Sequence, residues 1–121
     1  MKDKIEQIVE NFYQKVSEDF MIGYHFRKVA MKNHIPRIIS FWRIQLLNEK
    51  IALKDSFNLY SSHVSLGIKK GEVGRFITLF HGTLDEFIDK NPQDEILADK
   101  WKKKLSYFQK KFLTFKNFFD T

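Results

Sequence analysis

The sequence predicts an all-α fold made of one domain over residues 1–121, and three observations lead to this prediction. Apolar residues recur every three or four positions through most of the chain, and no segment alternates as a strand would. The chain has 121 residues, which is the size of one compact domain, and 43% of them are apolar. No internal repeat, low-complexity segment or flexible linker divides it.

The first half of the chain predicts two long helices with a short piece between them. The first helix begins near Ile5 and gives way near Asp19 to an apolar stretch broken by Gly23, which predicts a short helix or turn. The second begins around Asn33, because Asn can cap a helix and Pro36 is tolerated in a first turn. The expected buried positions are Ile5, Ile8, Val9, Phe12 and Val16, then Ile35, Ile38, Ile39, Trp42 and Leu46.

The second half predicts two more long helices. Between residues 48 and 62 the pattern weakens, which indicates a loop and one short helix that ends near His63. A turn bracketed by Gly67 and Gly71 precedes the third long helix, and Asn91-Pro92 separates that helix from the last. The expected inward positions are Val73, Phe76, Ile77, Phe80, Leu84 and Phe87, then Ile96, Leu97, Trp101, Leu105, Phe108 and Phe112.

Composition excludes several classes of function. The chain has no cysteine, so disulfides and thiolate metal sites are excluded. The first residues are charged and no run of about 20 apolar residues occurs, so we expect a cytoplasmic protein with no membrane partner. No nucleophile–base pattern and no glycine-rich phosphate loop is present, so we assign no catalytic residue. A monomer is the default expectation.

The chain is basic, with a formal net charge of +6, and the excess lies late in the sequence. The simpler interpretation is a solvated helix face opposite a buried stripe. The alternative is a basic all-helical module, without cofactor, that binds nucleic acid or a protein partner. The lysines concerned are Lys100, Lys102, Lys103, Lys104, Lys110, Lys111 and Lys116.

Aromatic residues make up 16% of the chain, which suggests either a flat apolar ligand or simply an aromatic core. No two of the four histidines stand three or four residues apart, so a metal site built from protein side chains alone is not expected. Tyr13 lies beside Phe12 where the first helix turns its apolar stripe inward. If it is buried, its hydroxyl needs a partner.

A set of residues with distinctive spacing runs through these elements. The pair Phe12-Tyr13 is followed thirteen residues later by Phe26, and His34 is followed seven residues later by Phe41-Trp42. His63 then stands in the sequence His63-Val64-Ser65-Leu66. In order and spacing this set, from about Ile5 to Phe112, resembles the truncated haemoglobins, or 2-on-2 globins, and specifically their third group.

The resemblance implies a helical sandwich around one haem b, with a five-coordinate iron that binds oxygen, nitric oxide or carbon monoxide reversibly. His63 would be the proximal iron ligand. The residues on the ligand side would be Tyr13, His34, Ile38 and Phe76. The other haem contacts would be Phe26, Arg37, Phe41, Trp42, Leu66 and Phe80, with Arg37 near a propionate.

Within this set, Tyr13 would donate a hydrogen bond to the ligand, and His34 would either bond the ligand or act as a gate at the pocket mouth. The resemblance also implies a reductase as a further partner, an NO dioxygenase or peroxidase-like side activity, and no role for nucleic acid.

The chain departs from the family pattern at three places. Phe76 stands where the family usually has a tryptophan whose indole N–H donates to the ligand, so one donor is missing. Gly23-Tyr24 replaces a Gly-Pro step, and Leu59 replaces a proline that precedes the proximal histidine. The first change predicts faster release of oxygen than in relatives that keep the tryptophan.

Overall fold

The chain folds as an all-α protein, as predicted. The computed structural model describes residues 3–26, 31–47 and 70–114, and within those ranges every regular element is a helix. The elements are α1 (Lys4–Glu18), α2 (Gly23–Phe26), α3 (Met31–Leu47), α4 (Lys70–Lys90), a 3-10 turn (Pro92–Asp94) and α5 (Glu95–Thr114). None of these helices is both long and apolar enough to cross a membrane.

The first helix begins at a capping residue that the sequence supplies. The Asp3 carboxylate accepts a hydrogen bond from the Glu6 backbone N–H at 2.9 Å, which satisfies one of the donors that a helix start leaves unpaired. The apolar stripe of α1 is buried as predicted, and its members are Ile5, Ile8, Val9, Phe12, Tyr13 and Val16.

Two helix starts differ from the prediction. Helix α3 begins at Met31 rather than Asn33, so Pro36 lies inside the helix and not in its first turn. Pro36 has no N–H to offer the Lys32 carbonyl, but both residues are exposed, so water can satisfy that oxygen. Helix α4 begins at Lys70, which puts Gly71 in the helix and not in the turn before it. Gly67 lies outside the described residues.

The four long helices enclose one hydrophobic core. Helix α1 packs on α3 and α4, and α5 packs on the same two helices, so α1, α3, α5 and α4 form a closed ring of contacts. Short α2 packs on α1. The largest fully buried side chains are Trp101, Phe12, Phe26, Phe80, Ile8, Ile22, Leu84, Val9 and Val16.

One predicted core position on α5 is wrong. Ile96 was expected to point inward, but it is 85% exposed. Ala98 and Trp101 instead face the core, at 3% and 0% exposure, and Ile96 lies on the other side of the first turn of the helix. A hydrophobic residue at a helix end fits several registers, and packing against α4 selects this one.

Candidate functional site

Tyr13 is a meeting point for the residues that the sequence singles out. Its side chain on α1 is only 5% exposed. Its ring makes edge-on contacts with Phe12, Phe26 and His34, at centroid distances of 4.9, 5.9 and 6.1 Å. Residues from α1, α2 and α3 therefore meet around one phenol ring, and three of the predicted site residues lie together.

The hydroxyl of Tyr13 is a protonated donor. Burial raises the pKa of Tyr13 well above its usual value of 10, so the phenol keeps its proton throughout the physiological range. Burial is the sole cause of this shift: no hydrogen bond or charge from residues 3–26, 31–47 or 70–114 contributes to it. A buried tyrosine usually donates a hydrogen bond from its hydroxyl. Because no hydrogen bond from the described residues contributes to the pKa shift, the Tyr13 hydroxyl can serve as a donor to a ligand.

His34 supplies a second polar group beside the phenol. It lies on α3, is half-buried, and meets the Tyr13 ring at an interplanar angle of 89°. Burial, and then the nearby charge of Arg37, hold the pKa of His34 below its usual value of 6.5. The imidazole is therefore neutral at pH 7, and in that state it carries one donor and one acceptor nitrogen.

Phenylalanine rings form a continuous wall next to these polar groups. Phe26 and Phe76 are stacked, with centroids 6.2 Å apart and an interplanar angle of 25°. Phe76 also contacts Phe12 edge-on at 4.8 Å and Phe80 at 6.5 Å. The wall continues through Trp42, whose ring lies 5.6 Å from that of Phe80.

The remaining predicted residues are two side chains that pack in or against the core, one exposed arginine, and two residues outside the described ranges. Phe41 contacts Trp42 at 5.2 Å, and Ile38, one turn after His34, is 3% exposed and belongs to the same core. Arg37 is exposed, and its charge acts on His34. His63 and Leu66 lie outside the described residues, as does the short helix expected near His63, so their assignments stay predictions.

Two long-range polar pairs near this wall, one buried and one partly buried, were missed by the sequence analysis. The Nε2 atom of His25 lies 2.9 Å from both carboxylate oxygens of Glu72. The Asp19 carboxylate accepts hydrogen bonds from Arg75, at 3.0 Å from Nε and 2.5 Å from Nη2. Arg75 is also the largest cause that keeps the pKa of Asp19 below its usual range. Partners so far apart in the sequence leave no local signal.

No protein-only metal centre is found in the described parts of the chain, because no group of three histidine or acidic side chains there could hold a metal ion. No protein-family model matches the chain, and no curated protein or solved structure gives a significant match to it.

The described residues around Tyr13 combine apolar rings with two polar groups. Haem is a flat, mostly apolar group, and the apolar neighbours it would need are present here in the Phe26 and Phe76 rings, which stack on each other. A ligand on the iron needs a hydrogen-bond donor, and the Tyr13 hydroxyl is one that no described residue engages. His34 adds a neutral imidazole at the edge of the same cluster.

Proposed function

We propose that this chain is a haem-binding globin of the truncated, 2-on-2 type, with His63 as the proximal iron ligand. The observation that carries the proposal is the buried side chain of Tyr13, whose phenol stays protonated, beside the neutral ring of His34 and inside a cluster of aromatic side chains. The order and spacing of Tyr13, Phe26, His34, Phe41-Trp42 and His63 support it.

Haem b, when bound, would supply reversible binding of a diatomic gas at its iron. The protein's own contribution is to orient a donor and to exclude water. Tyr13 holds its proton at the phenol oxygen and can donate a hydrogen bond to a ligand that carries partial negative charge. His34, neutral at pH 7, can donate a second hydrogen bond or swing away to admit the ligand.

The arrangement of the long helices also supports a 2-on-2 fold. The four helices contact each other in a ring, α1 with α3, α3 with α5, α5 with α4 and α4 with α1, and the proposed fold would divide this ring into the pairs α1 with α3 and α4 with α5. Two pairs of helices that face each other are the arrangement that the name of the family describes.

A hydrogen-bond donor next to an imidazole that can pass a proton near neutral pH also suits reactions of bound oxygen or peroxide. We therefore propose nitric oxide dioxygenation or peroxide reduction as a side activity, with a reductase as the partner that would return the iron to its ferrous state. Dioxygenation consumes no proton, so there the Tyr13 hydroxyl would hold the bound oxygen by a hydrogen bond. Peroxide reduction to water needs two protons and two electrons; His34 would pass the protons from solvent and the reductase would supply the electrons.

The test is a visible absorption spectrum of the purified protein, first reduced and then exposed to carbon monoxide. We expect a strong Soret band that shifts with carbon monoxide and is lost or altered in His63→Gly. His81→Ala is the matched control, because His81 lies on α4 and belongs to none of the contacts around Tyr13. A colourless protein that takes up no added haem would overturn the proposal.

A second candidate function is binding of nucleic acid or an acidic protein through α5. Residues 100–111 contain six lysines and no acidic residue. Lys103 is exposed, and Tyr107 is 54% exposed with the Lys111 ammonium 5.5 Å from its ring centroid. This candidate predicts DNA or RNA binding with a steep salt dependence and no visible colour. Reversal of charge at Lys103 should weaken that binding.

A further inference from the structure

Two ion pairs connect the corner between α1 and α2 to the first turns of α4. We call the four residues Asp19, His25, Glu72 and Arg75 the corner clamp. The Asp19 carboxylate accepts a hydrogen bond from Arg75, and the Glu72 carboxylate lies within hydrogen-bond distance of His25 Nε2. The Tyr24 hydroxyl donates a further hydrogen bond to Glu72 Oε2 at 3.0 Å. The clamp therefore joins segments that the chain separates by about 50 residues.

The His25–Glu72 pair is buried, and its location calls for an explanation. The side chains of His25 and Glu72 are only 6% and 10% exposed. Charged groups lose solvation when they are buried, and apolar residues of similar volume often serve stability as well or better. Stability alone is therefore a weak reason for a histidine and a glutamate at these positions, whereas a directed bond fixes geometry.

The His25–Glu72 pair is adjacent, along the chain, to two rings of the aromatic wall. Phe26 is the chain neighbour of His25, and Phe76 follows Glu72 by one helical turn on α4. The rings of Phe26 and Phe76 are stacked on each other, and Phe26 also contacts Tyr13. A shift of α2 relative to α4 would move these two rings apart. It would also displace the Phe26 ring, which the Tyr13 ring contacts.

We propose that His25 and Glu72 are positioning residues that hold Phe26 against Phe76, and thereby fix the apolar surface beside the Tyr13 hydroxyl. The positioning itself concerns the protein alone. Its consequence for ligand binding rests on the proposed function, in which the phenol must meet a ligand at a defined place.

The first test needs no haem. Nuclear Overhauser cross-peaks between the rings of Phe26 and Phe76 are measured in protein with selectively labelled phenylalanine. The variant His25→Leu/Glu72→Leu replaces the pair with apolar side chains, so we expect it to fold but to lose these cross-peaks. The variant His25→Gln/Glu72→Gln keeps a hydrogen bond without charge, so we expect it to retain them.

The matched control removes an exposed ion pair between α1 and α4, with Lys15 Nζ and Glu86 Oε2 2.6 Å apart. Lys15→Leu/Glu86→Leu should leave the cross-peaks unchanged. Cross-peaks that persist in the His25→Leu/Glu72→Leu protein would overturn the proposal. So would their loss in the Lys15→Leu/Glu86→Leu protein, because the rings would then respond to any change on α4.

The second test measures oxygen dissociation from the reduced, haem-loaded protein. We expect about tenfold faster dissociation in the double leucine variant, the factor expected when one hydrogen bond is lost, and rescue by the double glutamine variant. An unchanged rate would overturn the link between the pair and the ligand. If the wild-type protein takes up no haem, the proposed function fails, and the cross-peaks still decide whether the pair positions the rings.

Discussion

Replacement of Tyr13 by phenylalanine should stabilise the haem-free protein, although most substitutions in a core destabilise. The Tyr13 side chain is only 5% exposed, and no hydrogen bond to its hydroxyl contributes to its raised pKa, so the hydroxyl has lost water without a compensating charge or hydrogen bond that acts on its titration. A phenyl ring at this position keeps the contacts with Phe12, Phe26 and His34. Tyr13→Phe thus removes an unpaired polar atom and little else.

The magnitude follows from the cost of burying a hydroxyl without a partner, which is about 1 to 3 kcal/mol in proteins. We expect a gain of about 1 kcal/mol in the free energy of unfolding, the lower end of that range, since part of the Tyr13 side chain stays accessible. Tyr24→Phe is the matched control with opposite sign, because the Tyr24 hydroxyl donates to Glu72 at 3.0 Å. It should lower the free energy of unfolding.

The assay is urea unfolding of the haem-free proteins, followed by circular dichroism and analysed with a common slope. In haem-loaded protein, Tyr13→Phe should also release oxygen faster by about tenfold, because the ligand loses its donor. A variant that is less stable than the wild type by about 1 kcal/mol would refute the reasoning, since the hydroxyl would then be an ordinary bonded core group.

Alkaline pH gives an independent check on the same side chain. The pKa of Tyr13 is raised in the folded protein, so the folded state holds this proton more tightly than the unfolded state does. Stability from this group is therefore fully present below the unfolded pKa of 10 and falls as the pH rises above it. The fall should be smaller in Tyr13→Phe, and equal pH dependence in both proteins would contradict the burial of the phenol.

Three further predictions concern other residues of the site. The pKa of His34 is lowered on folding, so stability should fall as the pH drops below 6.5, and urea midpoints of His34→Gln should lack this loss. Phe76→Trp should restore a donor and slow oxygen release about ten- to a hundredfold in stopped-flow measurements; an unchanged rate would count against a ligand at this wall. Phe12 is fully buried, so Phe12→Ala should cost about 3 to 5 kcal/mol in urea unfolding, and a cost near zero would contradict its central place.

Local patterns were sufficient to predict the all-α class and the buried face of α1. The stripe from Ile5 to Val16 repeats at helical spacing and is buried throughout, because one long amphipathic helix has only one way to hide that face. Helix ends were less predictable. Pro36 suggested a start at Asn33, but exposed backbone next to a proline can be satisfied by water, and α3 extends to Met31.

Long-range pairs could not be predicted from the sequence. His25 taken alone resembles any core or surface histidine, and nothing near it points to Glu72, its partner on α4. The aromatic contacts were predictable only through the resemblance to truncated haemoglobins, which implied one site for Tyr13, Phe26, His34 and Phe76; rings of these residues do contact each other. His63 lies outside the described residues, so the iron ligand stays a prediction.

The residue choice at position 13 is the strongest physical argument for a ligand near this site. Packing alone would be served by phenylalanine, as neighbouring Phe12 shows with 0% exposure among the same rings. Trp101 also has a buried N–H without a partner among the described residues, but its ring neighbours are Trp42 and Phe80, and its described ring contacts include no histidine. At Tyr13 a protonated phenol and a neutral imidazole are in edge-on contact at one apolar wall, and the proposed ligand would give the phenol a role that phenylalanine could not fill.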